Sequence, residues 1–353
     1  MARQVNRPHF LISTLFTLAG FGFMALAVTI YMLYQGAPYG EQKELIIQRG
    51  SSIAQVTRTL QDNNIITHPK LFKALLRVTK GEKRVRAGEF RFHSRMSAMD
   101  ALKALYYNEP IVHPITIPEG FSARQIAEIL ENSKLVDESS FLKKVMSADY
   151  AQKYNLQSPS LEGFLFPDTY TFSRVDGEDK IIDQMVQNFI KKTGGNTLRE
   201  SAQKIGMTLE GVVTLASIIE KETANPEERP IVASVFHNRL KKGMRLQSDP
   251  TTIYAIPNFK GNITKSDLLR YHPYNTYTIP GLPPGPIASP GLAAINAALA
   301  PAQTDYLFFV AGTGGNHIFS QTYGQHTRQV TANQVVPNKG KALGKVQKKN
   351  GKN

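Results

Sequence analysis

An uncharged segment near the start of the chain, Phe10 to Tyr34, constrains the fold most strongly. As a helix rising 1.5 Å per residue it would be about 37 Å long, enough to cross a hydrocarbon core of about 30 Å with some tilt. Arg3 and Arg7 precede the segment and the acidic Glu41 follows it. The positive-inside rule therefore predicts a cytoplasmic N-terminus, with everything after the helix outside.

The length of this segment favours an anchor over a cleaved signal peptide. It exceeds a typical signal-peptide core, and the Gln-Gly-Ala-Pro of residues 35–38 is a poor cleavage site. We therefore predict a cytoplasmic tail over residues 1–9 and a single transmembrane helix over residues 10–34. The net charge of +14 suggests an anionic partner. A chain that faces outward does not normally meet nucleic acid, which excludes that partner class.

A gapless internal repeat, offset by seventy positions, follows the membrane segment. Residues 47–56 match residues 117–126, and Ser52 pairs with Ser122. Each copy predicts a short strand, a glycine turn, a serine N-cap and an amphipathic helix. We expect a small α+β module over residues 41–150. Its pattern resembles LysM modules, which bind glycans containing N-acetylglucosamine. A scaffold that only holds the next domain off the membrane is the alternative interpretation.

A second region, residues 154–337, has the pattern of a mixed α+β domain. One helix begins near Thr208, and Asn225 with Pro226 at the first helical position predicts the start of the next. Two apolar runs around a glycine-rich turn at 312–315 predict a β-hairpin. The last residues, 338–353, are rich in lysine and lack acids, which is typical of a disordered basic tail. The predicted fold class is therefore α+β.

Glu220 is the strongest candidate for chemistry. On a helical wheel it falls on the apolar stripe that contains Val213 and Ala216. The positions three and four residues away carry no charge, so no neighbour on the same helix pairs with it. A lone carboxyl on an apolar face resists ionisation, as a general acid working near neutral pH requires.

Two other interpretations bear on this residue. An acid near a helix end is more often solvated or capping than catalytic. Glu222 is the rival carboxyl, but it lies about 200° from Glu220 on the wheel, which predicts a surface position. A Glu220 carboxyl that points into bulk solvent with no cavity beside it, or that is tied up against an arginine, would overturn the catalytic interpretation.

Several other chemistries find no support in the sequence. The Gly-Thr-Gly-Gly of residues 312–315 precedes a predicted strand and lacks the lysine of a phosphate-binding loop. The histidines are scattered and no HExxH occurs, which disfavours zinc. No GxSxG elbow is present. We therefore predict neither a metal site nor a cofactor.

Six segments, in order along the chain, carry a resemblance to a known family. They are Leu161–Tyr170, Ala216–Thr223, Val235–Leu240, Met244–Tyr254, Tyr274–Tyr277 and Gly281–Ile287. Together they resemble the YceG-like (MltG) family of endolytic murein transglycosylases, and the likeness extends over nearly the whole chain. Phe164 and Phe166 stand where some members have tryptophan.

The resemblance implies a catalytic role for Glu220 in a peptidoglycan lyase. Glu220 would protonate the β-1,4 glycosidic oxygen between N-acetylmuramic acid and N-acetylglucosamine. As a carboxylate it would then take the proton of the muramyl 6-hydroxyl while that oxygen closes on C1. The product would be a 1,6-anhydromuramyl end, formed without water. Ordinary glycosidases use two carboxylates; here the substrate supplies its own nucleophile.

The same resemblance implies a location and partners. The enzyme would sit in the inner membrane, cut nascent glycan strands in the extracytoplasmic space, and associate with the glycan-polymerising penicillin-binding synthases. Polar loops are where binding residues gather, and five residues there are candidates for contacts with the sugars: Gln247, Asp249, Tyr274, Asn275 and Tyr277. A turn or capping role is the alternative for each.

Two other functions remain open from the sequence. One is a catalytically idle wall-binding or scaffold protein. Glu220→Gln discriminates it from the lyase, for which folding and sacculus binding should survive while release of anhydromuramyl products stops. A muramidase would cleave the same bond with water and leave reducing ends one water heavier.

Overall fold

The structure is a computed structural model that describes residues 7–36, 40–312 and 315–334. It divides into two compact units. Unit 1 comprises residues up to Ile115 with two short later segments, 133–135 and 171–177. Unit 2 comprises the rest of the described chain from Thr116 onward. The predicted basic tail, 338–353, and most of the predicted cytoplasmic tail lie outside the described residues.

The N-terminal segment is helical, as predicted. Helix α1 spans Arg7–Tyr34. Its part Ile12–Tyr34 is long and apolar enough to cross a membrane by length and composition, and none of its most apolar stretch is buried in the protein. Leu33, at its end, packs against the core of unit 1. The exposed apolar side chains between Ile12 and Tyr34 are consistent with a single membrane-spanning helix.

Unit 1 is a small α+β structure around one apolar core. Its elements after α1 are β1 (Gln42–Ile47), α2 (Ile53–Asp62), α3 (Pro69–Val78), α4 (Gly81–Arg84), β2 (Gly88–His93) and α5 (Ala98–Tyr107). Strands β1 and β2 pair antiparallel, with Leu45 opposite Phe90. The core between sheet and helices includes Leu60, Phe72 and Phe90. Two further strands, β3 (His113–Thr116) and β4 (Thr169–Phe172), form a sheet of their own.

Both copies of the repeat have the predicted local structure. Gly50 and Gly120 have φ of +74° and +75°, the left-handed conformation that glycine adopts most readily. Ser52 caps α2 in a capping box with Gln55. Ser122 makes the equivalent bonds with its partner three residues on, at the start of α6 (Ala123–Asn132). The second copy belongs almost wholly to unit 2, so the compact units do not follow the expected module boundary at residue 150.

Unit 2 is mainly helical. After α6 it contains α7 (Glu138–Val145), α8 (Ala148–Gln152), α9 (Gly177–Thr193), α10 (Asn196–Lys204), α11 (Leu209–Glu222), α12 (Arg229–Lys241), α13 (Asp249–Tyr254), α14 (Lys265–Leu269), α15 (Leu292–Leu299), β5 (Phe308–Ala311), β6 (His317–Ser320) and α16 (Tyr323–Gln334). The predicted hairpin is confirmed, because β5 and β6 pair antiparallel. The described residues thus have the α+β class predicted for them.

Helix α11 is the central helix of unit 2. Thr208 caps it, since its side chain accepts a hydrogen bond from the Gly211 amide. Every residue from Val212 to Ile219 is buried, and α10, α12, α13 and α15 pack around it. The helix therefore has no solvent face along this stretch, in contrast to the single apolar stripe of the sequence analysis.

The predicted start of the next helix is wrong by three residues. Asn225 accepts a hydrogen bond from the Glu227 amide at 3.0 Å, which closes a short turn instead of starting a helix. Helix α12 begins at Arg229, with Glu228 as the preceding residue and a proline in its first turn. Pro230 explains the later start, since proline is favoured in a first helical turn.

Candidate active site

The carboxyl of Glu220 is held by one donor at each oxygen. Glu220 lies in the last turn of α11, and 6% of its side-chain surface is exposed. Oε1 accepts a hydrogen bond from Nη2 of Arg229 at 2.9 Å. Oε2 accepts one from the Gly291 amide, before α15, at 3.0 Å. The packing of α12 and α15 against α11 thus brings both donors to one side chain.

Opposing effects determine the pKa of Glu220. Burial has the largest effect and raises the pKa, because it disfavours the charged form. The Gly291 amide and the Arg229 guanidinium lower it, and the nearby Glu119 carboxyl raises it. The net result is a pKa above that of an ordinary glutamate. Glu220 is therefore able to keep a proton at a higher pH than a solvated glutamate does.

Arg229 is a charged partner that the sequence analysis did not identify. It is nine residues from Glu220, in the first turn of the next helix, so positions three and four residues away could not reveal it. A pairing of this carboxyl with an arginine is the outcome that was expected to overturn the catalytic interpretation. The raised pKa answers that argument in part, because burial outweighs the guanidinium. The arginine also favours the carboxylate form of Glu220. A catalytic acid needs this form too, because it must accept a proton again after it has donated one.

A turn from the second repeat copy completes the surroundings of Glu220. Nζ of Lys221 donates to the Gly120 carbonyl at 3.1 Å, and the Gly120 amide donates to the Ser289 carbonyl at 2.8 Å. Oε2 of Glu119 lies 3.9 Å from Arg229 Nη2. The sequence offered one clue to this residue: Glu119 aligns with Arg49 in the repeat, a reversal of charge at one position.

Glu222 is not the surface residue that the helical wheel predicted. Its side chain is largely enclosed, and Ser248 donates its hydroxyl hydrogen to Oε1. Burial raises the pKa of Glu222 to about 7. The prediction failed because α11 is packed on all sides, so the face opposite Glu220 also points into protein.

Glu162 is a third perturbed carboxyl, which the sequence analysis missed. It is 2% exposed. Its Oε1 accepts from the Ala123 amide at 2.9 Å, and its Oε2 accepts from the Tyr254 hydroxyl at 3.1 Å. Burial raises the pKa of Glu162 to about 7. Because Ala123 is the first residue of α6, the carboxyl caps that helix and ties it to α13.

Four of the five predicted binding residues are at least partly exposed and lie at the start of α13 or in the loops beside it. Gln247 and Asp249 are exposed, and the Tyr277 hydroxyl donates to Asp249 Oδ1 at 2.6 Å. The backbone amide of Gln247 donates to the backbone carbonyl of Thr276 at 3.2 Å, which joins the two segments. Tyr274 is partly buried, and burial raises its pKa to about 12.

Asn275 has a structural role instead of the predicted binding role. It is 1% exposed, and its amide nitrogen donates to three backbone carbonyls, those of Asp267, Leu268 and Arg270. Its oxygen accepts from the Thr252 hydroxyl at 2.9 Å and from a backbone amide. The side chain therefore has no polar group left for a sugar.

Three of the quoted sequence motifs meet at α11. Phe164 and Phe166 of the first motif are buried, at 0% and 5% exposure, so neither can stack on a ligand. Gly163 of the same motif has φ of +83°, and a Cβ there would lie 2.4 Å from Pro286 Cβ. The residue after Pro286, Ile287, donates its amide hydrogen to Ser217 Oγ of α11 at 3.0 Å.

The described residues contain no group of three or more His, Cys, Asp or Glu arranged to hold a metal ion.

Comparison with known proteins places the chain in a family. A family model described as the YceG-like family matches residues 45–332. The chain belongs to the YceG-like family. It is similar to a Bacillus subtilis protein named endolytic murein transglycosylase, with 34% identity over 302 residues, 80% of this chain and 82% of that one.

Two further proteins are similar to this chain, one by sequence and one by its crystal structure. A Streptococcus pneumoniae protein of the same name is 29% identical over 316 residues, which is 80% of this chain but 57% of the longer relative. A yceG-like protein of Listeria monocytogenes, known from a crystal structure, is 31% identical and aligns with a TM-score of 0.56. That alignment covers 82% of this chain and 99% of the Listeria chain. The fold described here is thus that of the family.

Proposed function

We propose that this YceG-like protein is an endolytic murein transglycosylase. It cleaves the β-1,4 bond between N-acetylmuramic acid and N-acetylglucosamine within nascent glycan strands and leaves 1,6-anhydromuramyl ends. The observation that carries the proposal is the Glu220 carboxyl, nearly enclosed, with a raised pKa and two fixed donors. The names of the Bacillus and Streptococcus relatives agree with it.

The reaction needs Glu220 in both protonation states. Protonated Glu220 gives its hydrogen to the glycosidic oxygen as the bond from C1 to that oxygen breaks. The muramyl 6-hydroxyl oxygen then bonds to C1, and its hydrogen passes to the Glu220 carboxylate, so the enzyme is restored and no water is consumed. Each carboxylate oxygen has two acceptor sites. One protein donor at each oxygen therefore leaves a site free for the transferred proton.

Arg229 and the Gly291 amide stabilise the carboxylate between the two proton transfers. Both donors are in place before the reaction, so no reorganisation is needed when negative charge develops on Glu220. Gln247, Asp249, Tyr274 and Tyr277 keep their predicted role in binding sugar hydroxyl and N-acetyl groups. Asn275 supports these loops from behind.

Helix α1 and the family resemblance support a proposed location and proposed partners for the enzyme. We propose that α1 anchors the chain in the inner membrane with its N-terminus in the cytoplasm and residues 154–337, the catalytic domain, outside. From there it meets strands as the penicillin-binding synthases extend them. The Glu119–Phe121 turn lies within the predicted LysM-like region, residues 41–150, but belongs to unit 2, where it lies beside Glu220.

Digestion of purified peptidoglycan by the full-length, detergent-solubilised chain tests the proposal. The wild type should release anhydromuramyl products, and Glu220→Gln, which keeps the side-chain shape but cannot donate the acidic proton, should release none. Glu200→Gln, an exposed change of the same charge on α10, is the control and should retain activity. Sacculus binding and folding should survive in both variants.

Each alternative function gives a different result in this assay. Products one water heavier, with reducing ends, would identify a muramidase. A wild-type chain that binds sacculi and releases nothing would identify a scaffold. Undiminished anhydromuramyl release from Glu220→Gln would contradict the role of Glu220.

A further inference from the structure

One guanidinium nitrogen of Arg229 lies between two carboxyl groups. Nη2 is 2.9 Å from Glu220 Oε1 and 3.9 Å from Glu119 Oε2. The Arg229 side chain is 9% exposed, whereas the Glu119 side chain is 50% exposed. Nε of Arg229 is buried without a hydrogen-bond partner among the described residues. The protein therefore keeps a nearly buried cation here even though one of its donors is unsatisfied.

The position of Glu119 is set by its surroundings. The backbone on both sides of the turn is fixed, because the Gly120 amide donates to the Ser289 carbonyl and the Ser289 amide donates to the Phe121 carbonyl, each at 2.8 Å. The Glu119 carboxyl fills the space beside Gly291, where an added Cβ would lie 1.9 Å from Glu119 Oε1. Gly291 has an ordinary φ of −76°. Glycine is therefore needed here to leave room for the Glu119 carboxyl and not to allow an unusual backbone conformation.

The charge on Arg229 creates a problem when Glu220 is protonated. A buried cation that loses its anionic partner is strongly destabilised. The charged groups that act most on Glu220 are Arg229, Glu119 and its neighbour Lys221. Helix α15, which packs on the same side, has no titratable side chain. Glu119 is therefore the carboxylate that can balance Arg229 during the part of the cycle in which Glu220 is neutral.

We propose that Glu119 is a positioning residue that holds Arg229 beside Glu220 through both proton transfers, and this proposal rests on the proposed function. Glu119 shares the guanidinium, so Arg229 does not bind Glu220 as strongly as it would alone. Its own negative charge also opposes ionisation of Glu220. Both effects keep Glu220 able to carry a proton at the start of the cycle.

Glu119→Gln tests this through the pH profile of kcat/KM on glycan strands. Loss of the negative charge favours ionised Glu220, so activity should be lost at a lower pH. We expect the alkaline limb to move down by roughly 0.5 to 1 pH unit, an order-of-magnitude figure for one nearby partly solvated charge. Glu128→Gln, an exposed change of the same charge on α6, should leave the limb in place.

Two additional variants separate charge from packing. Glu119→Asp keeps the charge and should restore much of the wild-type profile. Gly291→Ala should displace the Glu119 carboxyl and move the limb in the same direction as Glu119→Gln. Thermal unfolding would identify any variant that does not fold, in which case the other two decide. An alkaline limb that stays unchanged in folded Glu119→Gln would overturn the inference but not the proposed function, which fails only if the wild type makes no anhydromuramyl ends.

Discussion

Replacing Glu162 with glutamine should remove a specific pH dependence of stability. The pKa of Glu162 is about 7 in the folded protein, against 4.5 for an unperturbed glutamate. Each pKa unit corresponds to about 1.4 kcal/mol, so keeping this buried carboxyl ionised costs about 3 kcal/mol. Because the folded-state pKa is raised, the contribution to stability is fully present below the unfolded value and is lost as pH rises through about 7. Glutamine has no such titration.

Chemical unfolding of the full-length chain at two pH values, followed through the transition of unit 2, measures this effect. Between about pH 4 and about pH 8 the wild type should lose about 3 kcal/mol of unfolding free energy that Glu162→Gln does not lose. The glutamine oxygen can still accept from the Ala123 amide, and its nitrogen can donate to the Tyr254 hydroxyl, so the fold should be kept. The exposed Glu200→Gln is the control and should follow the wild type. Parallel pH dependences in the wild type and Glu162→Gln would refute the reasoning.

Three other predictions follow from the site and its supports. Asn275→Ala should lower the unfolding free energy by about 2 to 4 kcal/mol, because several buried partners lose their hydrogen bonds; an activity loss without a stability loss would contradict the structural role. Gly163→Ala should lower the melting temperature, since a Cβ would clash with Pro286 at an unfavourable φ; an unchanged melting temperature would count against this packing. Wild-type kcat/KM should fall as pH rises through the raised pKa of Glu220, and a rate that increases steadily with pH would contradict the acid role.

Local sequence patterns were sufficient for much of the fold. The serine caps, the glycine turns of the repeat, the hairpin and the start of α11 depend on residues within a few positions of one another. The start of α12 was misplaced because Asn225 closes a turn with equally local bonds. Both Pro226 and Pro230 are suited to the first turn of a helix. Local sequence rules therefore cannot decide whether Asn225 caps a helix or closes a turn before a later helix.

The surroundings of Glu220 could not be predicted in this way. Its donors come from Arg229 and Gly291, and the turn beside it contains Glu119, which is about one hundred residues away in the sequence. Such contacts depend on how helices pack against one another, and spacing rules for a single helix cannot predict that packing. Glu222 was misjudged for the same reason, because a helical wheel cannot show that α11 is enclosed on every side.

The most direct test of the central claim is the fate of oxygen during strand cleavage. The wild-type chain would digest glycan strands in water labelled with heavy oxygen, and the masses of the new muramyl ends would be measured. If the Glu220 carboxyl transfers the proton while the muramyl 6-hydroxyl closes on C1, the new ends are unlabelled and one water lighter than hydrolysis products. Labelled reducing ends from the wild type would contradict this account.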